Sequence, residues 1–217
     1  MLKHFPLNEA GRDFVVGDLH GCFSRLQSRL DEIGFNPEID RLFSVGDLVD
    51  RGPESENALE WLNKPWFHAV RGNHEQMVID YAGGIGDSRI YIANGGAWFV
   101  GMTPFEQSEY AIAFNDLPIA IEVETKDGLV GIVHADCPVS DWADLGIALT
   151  GHSAESYAQL CMWSRDRATQ MWGNGVSGVE RVYVGHTPMQ QPTSLGNVHY
   201  IDTGAVFGRD LTIIQIN

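Results

Sequence analysis

Cysteine and long hydrophobic runs are scarce in this sequence of 217 residues. The three cysteines, Cys22, Cys137 and Cys161, are scattered and lack CxxC spacing, so neither a disulfide framework nor a thiolate zinc site is predicted. No apolar run approaches the ~20 residues of a membrane span, and the N-terminus lacks the apolar stretch of a signal peptide. We therefore expect a cytosolic protein that has no membrane partner.

Basic residues are also few, since 14 Lys and Arg stand against 29 Asp and Glu and give a formal net charge of −15. Proteins that bind nucleic acid depend on a basic surface, so a nucleic-acid partner is not expected. The composition, 44% hydrophobic and 20% charged, is typical of a globular protein. No repeat or Pro-rich linker divides the chain, and we expect a single domain over residues 1–217.

The first part of the chain alternates strand and helix patterns. The runs "FVV", "RLFSV" and "FHAV" each precede a turn and a helical pattern, which predicts a largely parallel sheet. The second part is richer in strands, with "IAIEVET", "LVGIV", "RVYVG" and closing hairpins at "HYIDTGAVF" and "LTIIQI". Between them we expect a helical segment over 88–115 interrupted by "NGG", a loop over 136–153 and a helix over "ESYAQLCMWSRDRA". The expected fold is α/β, with two mixed sheets packed face to face and helices outside.

Polar residues follow five of the apolar strand patterns. They are Asp18 and His20 in "GDLHG", Asp47, Asp50 and Arg51 in "GDLVDRG", Asn73 and His74 in "RGNHE", His134 in "VHAD" and His186 in "GHTP". The carboxyl ends of strands in such sheets meet at one edge, where binding sites lie. One such motif is weak evidence, but five in succession are hard to explain by packing. We therefore expect these side chains to form one site.

The residue types in this set suit divalent cations. Imidazole and carboxylate ligands favour manganese, iron or zinc, and a carboxylate such as Asp47 can bridge two ions. Two metals ~3.5–4 Å apart form a clamp for phosphoryl transfer. An anionic substrate in a chain of net charge −15 requires that cations and arginines reverse the local field.

The ordered motifs resemble the signature of the calcineurin-like metallophosphoesterases. "GDLVDRG" and "RGNHE" are similar to the serine/threonine phosphoprotein phosphatases, and "RGNHEQM", "WSR" and "YIDTGAVF" resemble their bacterial and lambda-phage branch. The resemblance covers nearly the whole chain and is weakest over 141–153. It implies a four-layer α/β/β/α sandwich and these metal ligands: Asp18 and His20 for the first ion, Asp47 as the bridge, and Asn73, His134 and His186 for the second.

The resemblance also implies roles for charged neighbours of the ligands. His74 and Asp50 correspond to an acid dyad, in which Asp50 hydrogen-bonds the ring of His74. Arg51 and Arg165 correspond to arginines that bind phosphate. Arg71 fits either a phosphate contact or a structural ion pair.

The implied activity is that of a metal-dependent serine/threonine protein phosphatase. It would hydrolyse phosphoserine and phosphothreonine monoesters in phosphoproteins or phosphopeptides, with phosphotyrosine as a further candidate, by direct attack of a metal-bound hydroxide and without a cysteine nucleophile. The two divalent ions are expected to be Mn²⁺, with iron and zinc as alternatives. The oligomeric state stays open.

Two other interpretations compete with this one. A symmetrical dinucleoside tetraphosphatase shares "GDLHG" and is compatible with "RGPES", but Asp50 and Glu75 favour the protein phosphatase. A binding protein with a decayed site would lack at least one ligand, and none is missing.

The remaining histidines and aromatic residues are expected to be structural. His4, His68, His152 and His199 lie outside the motifs, and Asp136 and Asp202 are expected to make turn or supporting hydrogen bonds. Most of the aromatic group is assigned to core packing: Trp61, Trp66, Trp98, Phe99, Trp163 and Trp172.

Overall fold

The computed structural model describes residues 1–217 and contains two β-sheets. The strands are β1 Leu2–Phe5, β2 Asp13–Val16, β3 Arg41–Ser44, β4 Phe67–Ala69, β5 Ala120–Thr125, β6 Gly128–Val133, β7 Arg181–Val184, β8 Thr193–Leu195, β9 Val198–Tyr200 and β10 Ile213–Gln215. One sheet has the order β10-β2-β3-β4 and the other β1-β5-β6-β7-β9-β8. Each contains parallel and antiparallel pairs, so the prediction of two mixed sheets is confirmed.

Nine α-helices surround the sheets. They are α1 Phe23–Glu32, α2 Ala58–Leu62, α3 Asn73–Ala82, α4 Ser88–Tyr91, α5 Ala97–Val100, α6 Pro104–Asn115, α7 Trp142–Ala148, α8 Ala154–Trp163 and α9 Asp166–Gln170. A turn over Ile92–Gly96, kinked at Gly95, joins α4 to α5. None of the helices combines the length and the apolar character needed to cross a bilayer.

The core is divided into layers by the alternation of side chains along the strands. In β2, Phe14 and Val16 pack with Leu26 of α1 on the outer face, whereas Val15 packs with Ile121 of the other sheet. A separate cluster joins the outer face of the second sheet to α7 and α8. Each sheet is therefore covered by the other sheet on one face and by helices on the other.

Two segments between residues 136 and 170 differ from the sequence prediction. Residues 136–153 are not all loop, because α7 forms within them and buries Trp142 and Leu145 against the second sheet. Asp141 caps this helix by accepting a hydrogen bond from the Ala143 amide at 3.0 Å. The helix predicted over "ESYAQLCMWSRDRA" is two helices, since Ser164 adopts an extended backbone with ψ of 135° between α8 and α9.

The strand predictions were wrong in part at both ends of the chain, although β10 forms within "LTIIQI" and pairs with β2. "HYIDTGAVF" is not a hairpin, because β9 ends at Tyr200 and Ala205–Phe207 form a 3₁₀ turn. The Asp202 carboxylate accepts the Gly204 amide at 2.8 Å and so fixes a turn there. The prediction also missed β1, an edge strand whose pairing with β5 is supplied by the fold rather than by a strong local apolar pattern.

Candidate metal centre

The predicted polar residues gather at the carboxyl ends of β2, β3, β4, β6 and β7. Two groups of potential ligands form there, with the ligand atoms of each group within 4.8 Å of one another. The groups are His20, Asp47 and His74, and Asp47, His134 and His186. All five side chains are buried. Asp47 belongs to both groups, which is the position required of a bridging ligand.

The backbone of the site is strained where these side chains are presented. Six residues other than glycine have a left-handed φ, and five belong to the predicted set: His20 (44°), Asp47 (51°), Asp50 (70°), Arg51 (69°) and His186 (63°). This region is unfavourable for residues with a Cβ and persists only where surrounding contacts determine it. The concentration of such residues here indicates that side-chain placement, rather than backbone preference, shapes these turns.

Two motif glycines make room for carboxylates. A Cβ on Gly72 would lie 2.3 Å from Asp47 Oδ1, and one on Gly185 would lie 1.9 Å from Asp18 Oδ1. Asp18 accepts the His186 amide with both carboxylate oxygens, at 3.2 and 3.0 Å. Burial and the nearby charges of Asp202 and Asp47 raise the pKa of Asp18. Asp18 is therefore beside the second group, although it belongs to neither three-residue group.

The donor atoms around His134 fit a bound cation. His134 Nδ1 is 2.7 Å from the Val45 carbonyl, which can only accept, so this nitrogen carries the proton. Nε2 faces two oxygens, Asn73 Oδ1 at 2.9 Å and Asp47 Oδ1 at 3.2 Å. Asn73 Oδ1 is also 2.8 Å from His186 Nδ1, and His186 Nε2 is buried without a partner. A neutral His134 would point the Nε2 lone pair at Asn73 Oδ1 and Asp47 Oδ1, whereas a cation shared by these three atoms would satisfy each of them.

In the first group, a backbone carbonyl orients the ring of His20 as Val45 orients that of His134. His20 Nδ1 lies 2.8 Å from the Val49 carbonyl, so Nε2 presents a lone pair. Nε2 is 3.6 Å from Asp47 Oδ2 and is contacted by the Arg51 guanidinium. Burial, opposed in part by Asp47, lowers the pKa of His20 to about 3 and keeps the ring neutral, as a ligand must be.

The predicted contact between Asp50 and His74 is present. His74 Nδ1 lies 2.6 Å from Asp50 Oδ2, and both side chains are fully buried. His74 Nε2 has no hydrogen-bond partner and lies 3.8 Å from Asp47 Oδ2. The other oxygen of Asp50 accepts the Trp98 indole N–H at 2.6 Å and the Tyr91 hydroxyl at 3.2 Å. Neither aromatic residue was predicted to be at the site.

Two of the three candidate arginines lie at the site, and the third does not. Arg51 contacts His20 of the first group, and Arg165 donates a hydrogen bond to the His186 carbonyl at 3.2 Å. Arg71 turns away and donates to Gln76 at 3.1 Å and to carbonyls of 115 and 117. Of the two roles open for Arg71, the phosphate contact is not supported, and its partners are neutral groups rather than an acid.

Glu75 supports the centre in a way that the sequence analysis missed. Its carboxylate is fully buried and accepts the amides of Gly72 at 2.8 Å, Asp47 at 2.9 Å and Leu48 at 2.8 Å. Burial, together with the charge of Asp47, raises the pKa of Glu75 to about 7. A Glu three residues after a helix N-cap was the available signal, because that position accepts N-cap amides.

The polar residues that were expected to be structural make contacts outside the metal groups. His4 contacts Glu122 at 2.9 Å, His68 packs on Phe5 and Phe43, His199 contacts Ser194 at 2.8 Å, and Asp136 pairs with Arg167 at 2.7 Å. None of them joins the metal groups.

Cys137 and Cys161 are not placed as nucleophiles. Cys161 and Arg167 have the Cys-x5-Arg spacing of cysteine phosphatases, but Cys161 lies fully buried inside α8 and Arg167 is paired with Asp136. Burial raises the pKa of Cys161 and raises the pKa of Cys137 to about 12. Both thiols therefore stay protonated and unreactive.

Comparisons with known proteins agree with this geometry. The family model described as calcineurin-like phosphoesterase matches residues 14–190. Serine/threonine-protein phosphatase 1 of Salmonella typhimurium is 42% identical over 206 residues, which cover 94% of this chain and 91% of that protein. A symmetrical bis(5'-nucleosyl)-tetraphosphatase of Erwinia tasmaniensis is 41% identical over 78 residues, which cover 35% of this chain and 28% of that protein.

A solved structure supports the fold independently. A protein provisionally described as a diadenosine tetraphosphatase superposes with a TM-score of 0.69 at 19% identity, covering 99% of this chain and 97% of that chain. At this identity the similarity concerns the fold alone. The family model and the Salmonella relative together show that this chain belongs to the calcineurin-like phosphoesterases, a family of metal-dependent enzymes.

Proposed function

We propose that this chain is a phosphoprotein phosphatase that hydrolyses phosphoserine and phosphothreonine monoesters with two divalent metal ions. The observation that carries this proposal is the buried pair of Asp50 and His74. His74 is held by Asp50 at 2.6 Å on one ring nitrogen, and its other nitrogen is unpartnered beside Asp47. A proton donor next to a metal cluster is what release of an alkoxide from serine or threonine requires.

The ligands proposed from the sequence would hold the ions. They are Asp18, His20, Asp47, Asn73, His134 and His186. When bound, two divalent cations lower the pKa of a water and neutralise the charge of the phosphate. The nitrogen and oxygen donors support manganese as the native metal, with iron and zinc as alternatives.

The other residues of the site would act on the substrate, either directly or, in the case of Asp50, through His74. His74 Nε2 would donate a proton to the leaving oxygen, while Asp50 keeps the opposite ring nitrogen protonated and the ring oriented. Arg51 and Arg165 would bind phosphate oxygens, because guanidinium groups recognise them bidentately. Water is the proposed nucleophile, in a single displacement without a phosphoenzyme, since burial raises the pKa of each of the three thiols and disfavours the thiolate.

The preference for phosphoproteins is supported by the extended similarity to the Salmonella phosphatase, which covers 94% of this chain. Symmetrical dinucleoside tetraphosphate hydrolysis is the second candidate, and the local match to the Erwinia protein favours it over part of the chain. The unpaired cysteines support the cytosolic location expected from the sequence.

A direct comparison of substrates tests this proposal. The manganese-loaded enzyme is assayed on a phosphoserine peptide, a phosphothreonine peptide, a phosphotyrosine peptide and diadenosine tetraphosphate. We expect kcat/KM to be highest on the phosphoserine and phosphothreonine peptides. A higher kcat/KM on diadenosine tetraphosphate would assign the chain to the second candidate.

A further inference from the structure

Asp50 is bound on both of its carboxylate oxygens. Oδ2 faces His74 Nδ1 at 2.6 Å, while Oδ1 accepts the Trp98 indole N–H at 2.6 Å and the Tyr91 hydroxyl at 3.2 Å. Asp50 and Tyr91 are buried, and the Trp98 contact is partly buried. Three donors therefore fix both the position and the plane of this carboxylate.

The segment that carries the two aromatic residues is built around this contact. Tyr91 ends α4, Trp98 lies in α5, and the kinked turn between them contains Gly95 with φ of 105°. A Cβ on Gly96 would lie 2.3 Å from the Tyr91 ring. A Cβ on Gly95 would lie 2.4 Å from the Arg51 amide nitrogen. The "NGG" turn thus lets the segment approach both the Tyr91 ring and the backbone beside Asp50.

We propose that Trp98 and Tyr91 are positioning residues for leaving-group protonation, acting on His74 through Asp50. This inference rests on the proposed role of His74 as the proton donor. The two aromatic side chains bring neutral donors to Oδ1, so they hold the carboxylate without adding a charge that would compete with His74. A carboxylate free to rotate would leave His74 free to tilt, and Nε2 would lose its alignment with the leaving oxygen.

Tyr91 can serve only as a donor in this arrangement. Burial, followed by the negative charge of Asp50, raises the pKa of Tyr91, so its hydroxyl keeps its proton. The indole N–H of Trp98 is a donor without acceptor capacity. Both groups therefore match the acceptor oxygen that they contact.

The test compares two leaving groups within each preparation of enzyme. For Trp98→Phe and Tyr91→Phe, kcat is measured on a phosphoserine peptide and on p-nitrophenyl phosphate, whose phenolate leaves without protonation. The ratio of the two kcat values does not depend on the fraction of folded protein. We expect Trp98→Phe to lower this ratio about tenfold, as loss of one hydrogen bond to a charged group would do, and Tyr91→Phe to lower it less, because its contact is longer.

Two matched controls come from the same hydrophobic cluster. Trp66 is partly buried there and makes no hydrogen bond to Asp50. The Tyr110 ring packs on Trp98 at 5.2 Å between centroids, but its hydroxyl donates to the Glu56 carbonyl at 2.8 Å, so Tyr110→Phe keeps the packing and removes only a bond that does not involve Asp50. Trp66→Phe and Tyr110→Phe should leave the ratio unchanged. An equal fall of the ratio in these controls would show a general packing effect and would overturn the inference.

His74→Asn separates failure of this inference from failure of the proposed function. We expect His74→Asn to lower the ratio strongly and Trp98→Phe to have no further effect in that background. If His74→Asn lowers the ratio and Trp98→Phe alone does not, the positioning role is wrong while the role of His74 stands. If His74→Asn leaves the ratio unchanged, His74 is not the proton donor and the positioning role falls with it, while hydrolysis of the phosphoserine peptide by the wild type still decides the proposed function.

Discussion

The Glu75 carboxylate accepts the backbone amide of Asp47 at 2.9 Å, so one buried acid fixes the turn that presents another. The same carboxylate holds the amides of Leu48 and Gly72 at 2.8 Å each. Glu75 is thus the link between the turn after β3 and the start of α3, which together supply Asp47 and Asn73.

Replacement of Glu75 by alanine should weaken both folding and metal binding. It leaves three buried amides without a partner, at a cost of about 1–3 kcal/mol each. For a chain of this length a loss of about 3 kcal/mol corresponds to a fall in Tm of roughly 6–12 °C. Glu106 is the matched control, because it occupies the equivalent position in α6 but is exposed. Both variants are studied by calorimetry and metal analysis. We expect Glu106→Ala to show a small change in Tm and full metal content, and Glu75→Ala to show a large fall in Tm and a lower metal content.

Activity should depend on divalent metal. We expect excess chelator to abolish hydrolysis, and manganese to restore it better than magnesium because histidine ligands suit manganese. Asp47→Asn should lower kcat by more than about 100-fold, beyond the 10–100-fold typical of residues that only support a ligand. Full activity after dialysis against chelator would contradict a metal-dependent reaction.

Arg51 and Arg165 should affect turnover without affecting metal content. Loss of a charged hydrogen bond of about 1.5–3 kcal/mol predicts a fall in kcat/KM of about 10–100-fold for Arg51→Ala and Arg165→Ala. Arg181→Ala is the control, since this arginine pairs with Asp127 at 3.4 Å on the surface. Steady-state kinetics give kcat/KM for each variant, and metal analysis is carried out on the same samples. Unchanged kinetics in either variant would show that its arginine has a structural role.

Catalysis should not depend on the thiols of Cys137 and Cys161. Because burial raises the pKa of Cys137 to about 12 and also raises that of Cys161, iodoacetamide at neutral pH should label neither readily in the folded enzyme. Mass spectrometry gives the labelled positions, and residual activity is measured on the same sample. Inactivation in step with labelling of Cys161 would indicate a cysteine nucleophile.

The gathering of the strand-end residues could be predicted from the sequence, because a parallel sheet brings the carboxyl ends of its strands to one edge. Asp47 and His134 are 87 positions apart, yet each directly follows a predicted strand, and their side chains lie 3.2 Å apart. The fold class followed from the same strand and helix patterns.

The sequence did not predict contacts that depend on the position of backbone far away in the chain. Trp98 and Tyr91 lie in a helical segment rich in aromatic residues, where core packing is the ordinary interpretation, and only the turn at Gly95 brings them to Asp50. Arg71 lies in a phosphatase-like motif, but its direction depends on carbonyls more than 40 positions away. The short strand β1 depends on its partner β5 in a similar way.

Metal stoichiometry tests the central claim most directly. Wild-type protein and Asp47→Asn are stripped with chelator, reconstituted with manganese, freed of unbound ion and analysed by mass spectrometry for metal per chain. The shared position of Asp47 between the two ligand groups predicts two manganese ions per wild-type chain and fewer than one in Asp47→Asn. One ion or none in the wild type, or two ions retained by the variant, would contradict a dinuclear centre bridged by Asp47.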